Sequence, residues 1–105
     1  LAASEPFPLA ATDFYQVLET SDVPAGVVNI VTGSHAELAP TMAKHLDVDA
    51  VWSFSSTDLS AQIEKASAGN LKRTWVNNGH ALTPTAKEYL AAATEVKNIW
   101  IPYGE

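Results

Sequence analysis

The hydrophobic positions of the chain follow two periods that alternate along its length. Four segments carry apolar residues at the three- and four-residue spacing of a helix face, and they predict helices near residues 8–21, 35–46, 55–69 and 83–92. Four short runs rich in β-branched and aromatic residues lie between or after these segments. They predict strands at residues 27–31, 48–54, 71–76 and 96–101.

Residues at the segment boundaries support this division. Ser55, followed three positions later by Asp58, resembles a capping box at the start of the third helix. Thr83 before Pro84 is typical of an N-cap and first helical position, and predicts the start of the fourth helix there. The sequence Asn77-Asn78-Gly79 predicts a turn between the third strand and that helix.

Strands that alternate with helices of 10–15 residues indicate an α/β fold with a parallel sheet and right-handed crossovers. The strands are apolar throughout, which is expected when helices cover both faces of the sheet in a three-layer arrangement. With 105 residues the chain predicts one domain, 1–105. It begins at Leu1 without a methionine, and we expect it to be part of a longer protein.

Charge and composition narrow the classes of function. The net charge is −6 and the six basic residues are scattered, which argues against nucleic acid or an anionic membrane as a partner. The chain has no cysteine, which excludes a thiol nucleophile and fits a reducing, cytoplasmic location. Asp47 and Asp49 have no histidine at ligand spacing, so we expect no metal site.

Several segments resemble those of a known family. Residues 4–9, SEPFPL, resemble the motif KPSE-x-x-P-L, and residues 23–33, VPAGVVNIVTG, resemble LPPGVVNVVTG. Residues 45–51, HLDVDAV, resemble HPDVDKV, and residues 51–60, VWSFSSTDLS, fall on AFTGSTEVG. NLKR at 70–73 corresponds to the segment before LELGG. These motifs occur in this order in aldehyde dehydrogenases, and the resemblance implies their Rossmann-like NAD-binding domain.

The resemblance also implies which residues would contact the cofactor. Glu5 corresponds to the glutamate that binds the ribose, and Ser56 to the serine that contacts the pyrophosphate. Ala2 stands where the family has a lysine, and Ser55 and Ser60 stand in place of two glycines. We therefore predict a degenerate cofactor site at Glu5, Ser55 and Ser56. The alternative interpretation is that the serines only cap a helix and Glu5 is a solvated or capping carboxylate.

The catalytic residues of the family are missing from the resembling segments. Asn77 stands at the position of the general-base glutamate, and an amide cannot take a proton at neutral pH. The ending EYLAAATEVKNIWIPYGE resembles the tail that joins subunits in the family. This pattern is similar to the degenerate C-terminal half of two-domain aldehyde dehydrogenases, called family sixteen. It predicts no catalytic residue in this chain.

The leading hypothesis is a non-catalytic, structural domain that binds no cofactor and packs beside a catalytic aldehyde dehydrogenase half or joins copies of itself. Residues 94–105 are the candidate oligomerisation tail, with Trp100 and Tyr103 as interface residues or as part of the core. The strand at 96–101 would then lie at a sheet edge or in an interface. The alternative is a regulatory domain that binds NAD or an adenine nucleotide through Glu5 and Ser56.

Overall fold

The computed structural model describes residues 1–104. Its regular elements are α1 (Ala10–Glu19), α2 (His35–Lys44), β1 (Ala50–Ser53), α3 (Thr57–Ser67), β2 (Arg73–Val76) and α4 (Ala86–Ala93), and a 3-10 turn at Ala68–Asn70 follows α3. The order of helices and strands confirms the α/β class predicted from the alternating periods. None of these helices has the length and apolar character needed to cross a bilayer.

The sheet consists of β1 and β2, which run parallel with α3 as their crossover. Trp52 of β1 lies opposite Trp75 of β2. A second parallel contact joins Ala2 to Val31 as a single bridge, in which the Val31 N–H donates to the Leu1 carbonyl at 2.9 Å. The parallel pairing confirms the prediction.

The hydrophobic core lies on one face of this sheet, between β1, α2 and α3. Its buried members are Ala43, Val51 and Ile63. Buried serines at positions 60 and 67 lie on the same face of α3 as Ile63. Side chains alternate between the two faces of a strand, so Trp52 and Trp75 lie on the opposite face, where Tyr89 of α4 packs against them. The arrangement is therefore a small three-layer fold.

Two predicted strands are absent from the described residues. The run 27–31 forms only the bridge at Val31, and the run 96–101 has no regular secondary structure. Both runs have the β-branched residues of a strand, but a strand forms only when a neighbour accepts its hydrogen bonds and packs against its side chains. The strand predicted at 96–101 is therefore not formed at a sheet edge within the described chain, and its place in an interface stays a prediction.

Two predicted helix caps are also displaced. Ser56, rather than Ser55, caps α3, and its hydroxyl accepts the Leu59 N–H at 3.3 Å. Thr85, rather than Thr83, caps α4, because Glu88 stands three residues after Thr85 and completes a capping box. In this box the Thr85 backbone N–H also donates to the Glu88 side chain, and this second hydrogen bond favours Thr85 as the cap.

The molecule exposes more surface than a compact protein of its size. Its accessible surface is 8477 Å², against about 5,700 Å² for a compact protein of this mass. The radius of gyration is 16.5 Å, against roughly 13 Å for a compact chain of this length. Much of the exposed surface is apolar, and many of the exposed large apolar side chains lie in α1, in the segments on either side of it and in the C-terminal tail.

Candidate functional site

The structure brings Glu5, Ser55 and Ser56 to one cleft, although they are distant in the sequence. The cleft has a volume of about 520 Å³ and lies between the N-terminal segment, the start of α2 and the turn between β1 and α3. Its lining also includes Phe54 and Gln62. A cleft of this size lies within the range of small-molecule sites. The three residues are adjacent, and their role in cofactor binding stays a prediction.

Glu5 is already engaged within the protein. Its carboxylate Oε1 accepts the backbone N–H of His35, the first residue of α2. The negative charge of Glu5 therefore lies at the positive end of the helix dipole, where it stabilises the helix. The ring Nε2 of His35 contacts the Ala3 carbonyl at 2.7 Å and ties the same segment to α2. Glu5 therefore makes a capping contact at the start of α2, and its role in cofactor binding stays a prediction.

The hydroxyls of the serine turn are likewise used internally. Ser55 Oγ contacts Ser53 Oγ at 2.9 Å, and Ser56 Oγ caps α3. The Thr57 hydroxyl donates to the Asn78 carbonyl at 2.9 Å. The Gly79 N–H donates to the Ser55 carbonyl at 2.8 Å. These bonds join the start of α3 to the turn after β2, and they leave the hydroxyls committed to the fold.

The charge of the cleft is unfavourable for a dinucleotide. Its described lining residues include the carboxylates of Glu5 and Asp58 and no lysine or arginine. A pyrophosphate is bound best by basic side chains and by free helix N–H groups. Ala2 supplies no ammonium group at the position where the resemblance implies a lysine. The helix N-termini of α2 and α3, at which Glu5 and the Ser56 hydroxyl already lie, are the sources of positive potential along this cleft.

Asn77 lies directly after β2, at the position where the resemblance implies a general base. Its Nδ2 donates to the His80 carbonyl at 2.6 Å, and the His80 N–H donates to the Asn77 carbonyl at 2.9 Å. Asn78 and Gly79 have φ values of 50° and 76°, which confirms the predicted turn. The neutral amide of Asn77 has no basic lone pair on nitrogen with which to take a proton. The contacts that Asn77 makes close this turn.

The tail after α4 has the most exposed apolar side chains of the described chain. Trp100 is 93% exposed and Tyr103 is fully exposed. The other large apolar residues of the tail are also exposed, and they are Val96, Ile99 and Ile101. Trp100 and Tyr103 therefore do not pack in the core, and their interface role stays a prediction. Glu105, the last residue of the predicted tail, lies outside the described residues.

An aromatic cluster and Arg73 were not identified from the sequence. The Trp52 and Trp75 ring centroids lie 5.3 Å apart, and Phe54 packs edge-on against Trp75 at 5.5 Å. Tyr89 of α4 completes the cluster. The central positions of Trp52 and Trp75 in neighbouring predicted strands were the available signal for their pairing. No local pattern indicates that α4 packs on them or that Arg73 bonds to its end.

Comparison with known proteins gives consistent matches over most of the chain. Residues 1–83 match the aldehyde dehydrogenase family. Over 80 residues the chain is 35% identical to the NADP/NAD-dependent aldehyde dehydrogenase PuuC of Escherichia coli, a match that covers 75% of this chain and 16% of that protein. Over 64 residues it is 41% identical to 3,6-anhydro-alpha-L-galactose dehydrogenase of Vibrio sp., which covers 61% of this chain and 13% of that protein.

A solved structure shares the fold. The crystal structure of an aldehyde dehydrogenase from Bartonella henselae superimposes with a TM-score of 0.68 and 30% sequence identity, covering 72% of this chain and 16% of that one. The chain thus spans about a sixth of the length of these proteins. Residues 84–105, which include α4 and the tail, lie outside the family match.

Proposed function

The chain belongs to the aldehyde dehydrogenase family, and from this premise we propose that it is a non-catalytic domain with a structural role. It packs beside a catalytic aldehyde dehydrogenase half and takes part in oligomerisation through residues 94–105. The observation that carries this proposal is the exposure of the apolar tail, in which Trp100 is 93% accessible.

Exposing this many apolar side chains of the tail to water is unfavourable in free energy for a protein without a partner. Single exposed apolar side chains are common, but a contiguous exposed group of this kind is typical of a protein interface. Aromatic residues such as Trp100 and Tyr103 are enriched in interface cores and among the residues that dominate binding energy. The tail therefore has the composition of an interface whose partner is a protein.

The residues at the family's reactive positions support a non-catalytic role. The position of the general base holds Asn77, whose amide bonds within its own turn. The chain contains no cysteine that could serve as a nucleophile. In the cleft, Glu5 and Ser56 act as helix caps. These side chains stabilise the fold through the contacts that they make.

A test of the structural role compares deletion of residues 96–105 with the loss of one exposed apolar side chain outside the tail. Leu71 is 90% exposed and adopts a left-handed conformation that asparagine tolerates, so Leu71→Asn is the control. The deletion should weaken self-association or binding to a catalytic half, measured by sedimentation velocity over a range of concentrations, and Leu71→Asn should not. Equal association of the deletion variant and the unchanged protein would refute the role of the tail.

A second candidate is a regulatory domain that binds NAD or an adenine nucleotide in the cleft. Its support is the placement of Glu5, Ser55 and Ser56 around one cavity of about 520 Å³. We expect titration with NAD to leave tryptophan fluorescence and the amide signals of Ser55 and Ser56 unchanged. Saturable shifts of these signals at micromolar to low-millimolar NAD would instead establish the regulatory candidate.

A further inference from the structure

The turn after β2 holds the only Asn-Gly pair of the chain at its centre. The His80 N–H donates to the Asn77 carbonyl at 2.9 Å and closes the turn. Asn78 and Gly79 are its central residues, and both have positive φ values, 50° and 76°. Positive φ at both central residues is the pattern of a type I′ turn, for which Asn-Gly is a preferred pair. Both residues are exposed, so water reaches the Asn78 side chain.

An exposed Asn-Gly pair can react with itself. The Gly79 nitrogen follows the Asn78 carbonyl along the backbone, and glycine has no Cβ to obstruct its approach to the Asn78 side chain. After the Gly79 N–H loses its proton to solvent, the nitrogen attacks Cγ of Asn78. A bond forms between these two atoms, the Cγ–Nδ2 bond breaks, and Nδ2 leaves as ammonia with a proton taken from water. The product is a cyclic imide.

Water then opens the cyclic imide at either of its carbonyl groups. Cleavage of the bond from the Gly79 nitrogen to Cγ leaves aspartate at position 78. Cleavage of the bond from the same nitrogen to the backbone carbonyl carbon leaves isoaspartate, in which the main chain passes through Cβ and Cγ. Both routes consume water, release ammonia and add negative charge to a chain that carries −6. Neither route requires an oxidant or a reductant.

The fold holds the peptide group that must react. The Gly79 N–H donates to the Ser55 carbonyl at 2.8 Å, and the Thr57 hydroxyl donates to the Asn78 carbonyl at 2.9 Å. Both sides of the peptide group between residues 78 and 79 are thus bonded to the turn that precedes α3. The attacking nitrogen is free to approach Cγ only when these bonds open, and local opening of this kind has its own free-energy cost.

We propose that Asn78 is a site of spontaneous conversion to aspartate and isoaspartate, and that its hydrogen-bonded contacts with residues 55–57 control the rate. In isoaspartate the former backbone carbonyl carbon of Asn78 belongs to a free carboxylate. The peptide group that Ser55 and Thr57 hold together then no longer exists. The reaction therefore removes the contacts that slow it, and it is irreversible because ammonia is lost.

The site is tested by ageing the full chain at neutral pH, both folded and unfolded in guanidinium chloride. Trypsin cleaves after Arg73 and Lys87, and fragment masses within the peptide 74–87 locate the change and separate aspartate from isoaspartate. Asn98 is the internal control, because it is also exposed but precedes the β-branched Ile99, whose side chain crowds the attacking nitrogen.

In the unfolded chain we expect Asn78 to convert at least about tenfold faster than Asn98. Gly79→Ala, compared in the unfolded chain where the native φ is not required, should slow the conversion of Asn78 about tenfold. Equal rates at Asn78 and Asn98, or an unchanged rate in Gly79→Ala, would overturn the site.

A pair of threonine variants tests the control of the rate in the folded protein. Thr57→Val removes the hydroxyl that donates to the Asn78 carbonyl and keeps the shape of the side chain. Thr74→Val, the same substitution at an exposed position of β2, is its control. We expect Thr57→Val to raise the rate of conversion about two- to tenfold, the factor that one hydrogen bond contributes to the population of the opened turn. Thr74→Val should leave the rate unchanged.

Equal rates for the two threonine variants would overturn the control by residues 55–57. If Thr57→Val does not fold, the two states of the unchanged protein decide. We expect the folded protein to convert Asn78 at least about tenfold more slowly than the unfolded chain, because the turn must open first. Equal rates in the two states would overturn the control by the fold.

Discussion

The cleft beside the start of α3 and the tail after α4 differ in how their functional groups are used. In the cleft, the carboxylate of Glu5 and the hydroxyl of Ser56 are bonded to helix N–H groups of the protein itself. In the tail, Trp100 and Tyr103 are almost wholly exposed. The cleft keeps the residues that hold the fold together, while the tail exposes the residues that a partner would bury. This contrast supports the proposal that the interaction surface lies in the tail.

The largest expected effect compares one substitution in two regions. Ile63 is completely buried and Ile99 is 83% exposed. Ile63→Ala should lower the free energy of unfolding by about 2–5 kcal/mol, because it removes apolar contacts from the core and leaves a cavity. Ile99→Ala should change it by less than about 0.5 kcal/mol. Urea denaturation at low protein concentration measures both values.

One outcome would contradict the expected difference between Ile63→Ala and Ile99→Ala. A comparable loss of stability from both substitutions, at a concentration where the protein is monomeric, would mean that the tail packs within its own chain. The tail would then be part of the core, and the difference between the two regions would disappear.

An intermediate effect is expected at the buried end of α2. Lys72 is 8% exposed, and its Nζ donates to the His45 carbonyl at 2.5 Å and to the Met42 carbonyl at 3.4 Å. Lys72→Met should cost about 1–3 kcal/mol, because it leaves these carbonyls without their charged donor. Lys44→Met is the control, since Lys44 is an exposed basic residue in the last turn of α2, near the negative end of the helix dipole.

Thermal unfolding followed by circular dichroism distinguishes the two lysine variants. A shift for Lys44→Met as large as that for Lys72→Met would show that charge at the helix end, rather than the buried bonds of Lys72, stabilises α2. The larger shift for Lys72→Met would confirm that residues within the family match hold this part of the fold.

The sequence predicted the central β1-α3-β2 unit because its signals are local. The helix period of α3 and the apolar runs around Val51 and Trp75 each identify their element without reference to distant residues. The runs at 27–31 and 96–101 have equally strong strand composition, yet they lack neighbouring strands that would complete their hydrogen bonding. Strand formation depends on partners, and composition alone does not supply them.

The candidate site likewise has features that the sequence predicted and contacts that it did not predict. The motifs predicted that Glu5, Ser55 and Ser56 would share one region, and they line one cleft. The internal bond of Glu5 to His35 depends on how the N-terminal segment meets α2. The bonds of Arg73 to the end of α4 depend on how that helix packs on the sheet. Such contacts between distant segments arise from tertiary packing, which no local period records.

The smallest expected effect concerns the start of α4, the helix that precedes the tail. Hydrogen bonds from the Thr85 backbone and hydroxyl lower the pKa of Glu88 below its ordinary value of 4.5. Because the folded pKa is lowered, this contribution is fully present above the unfolded value and is lost as the pH falls through the folded value. Amide protection of α4 should therefore decrease below about pH 4.5.

Glu88→Gln should abolish this dependence, and Glu64→Gln, an exposed change on α3, should leave it intact. Protection of α4 that is independent of pH in the unchanged protein would show that the contacts of Arg73 and Tyr89 hold the helix without the charge of Glu88.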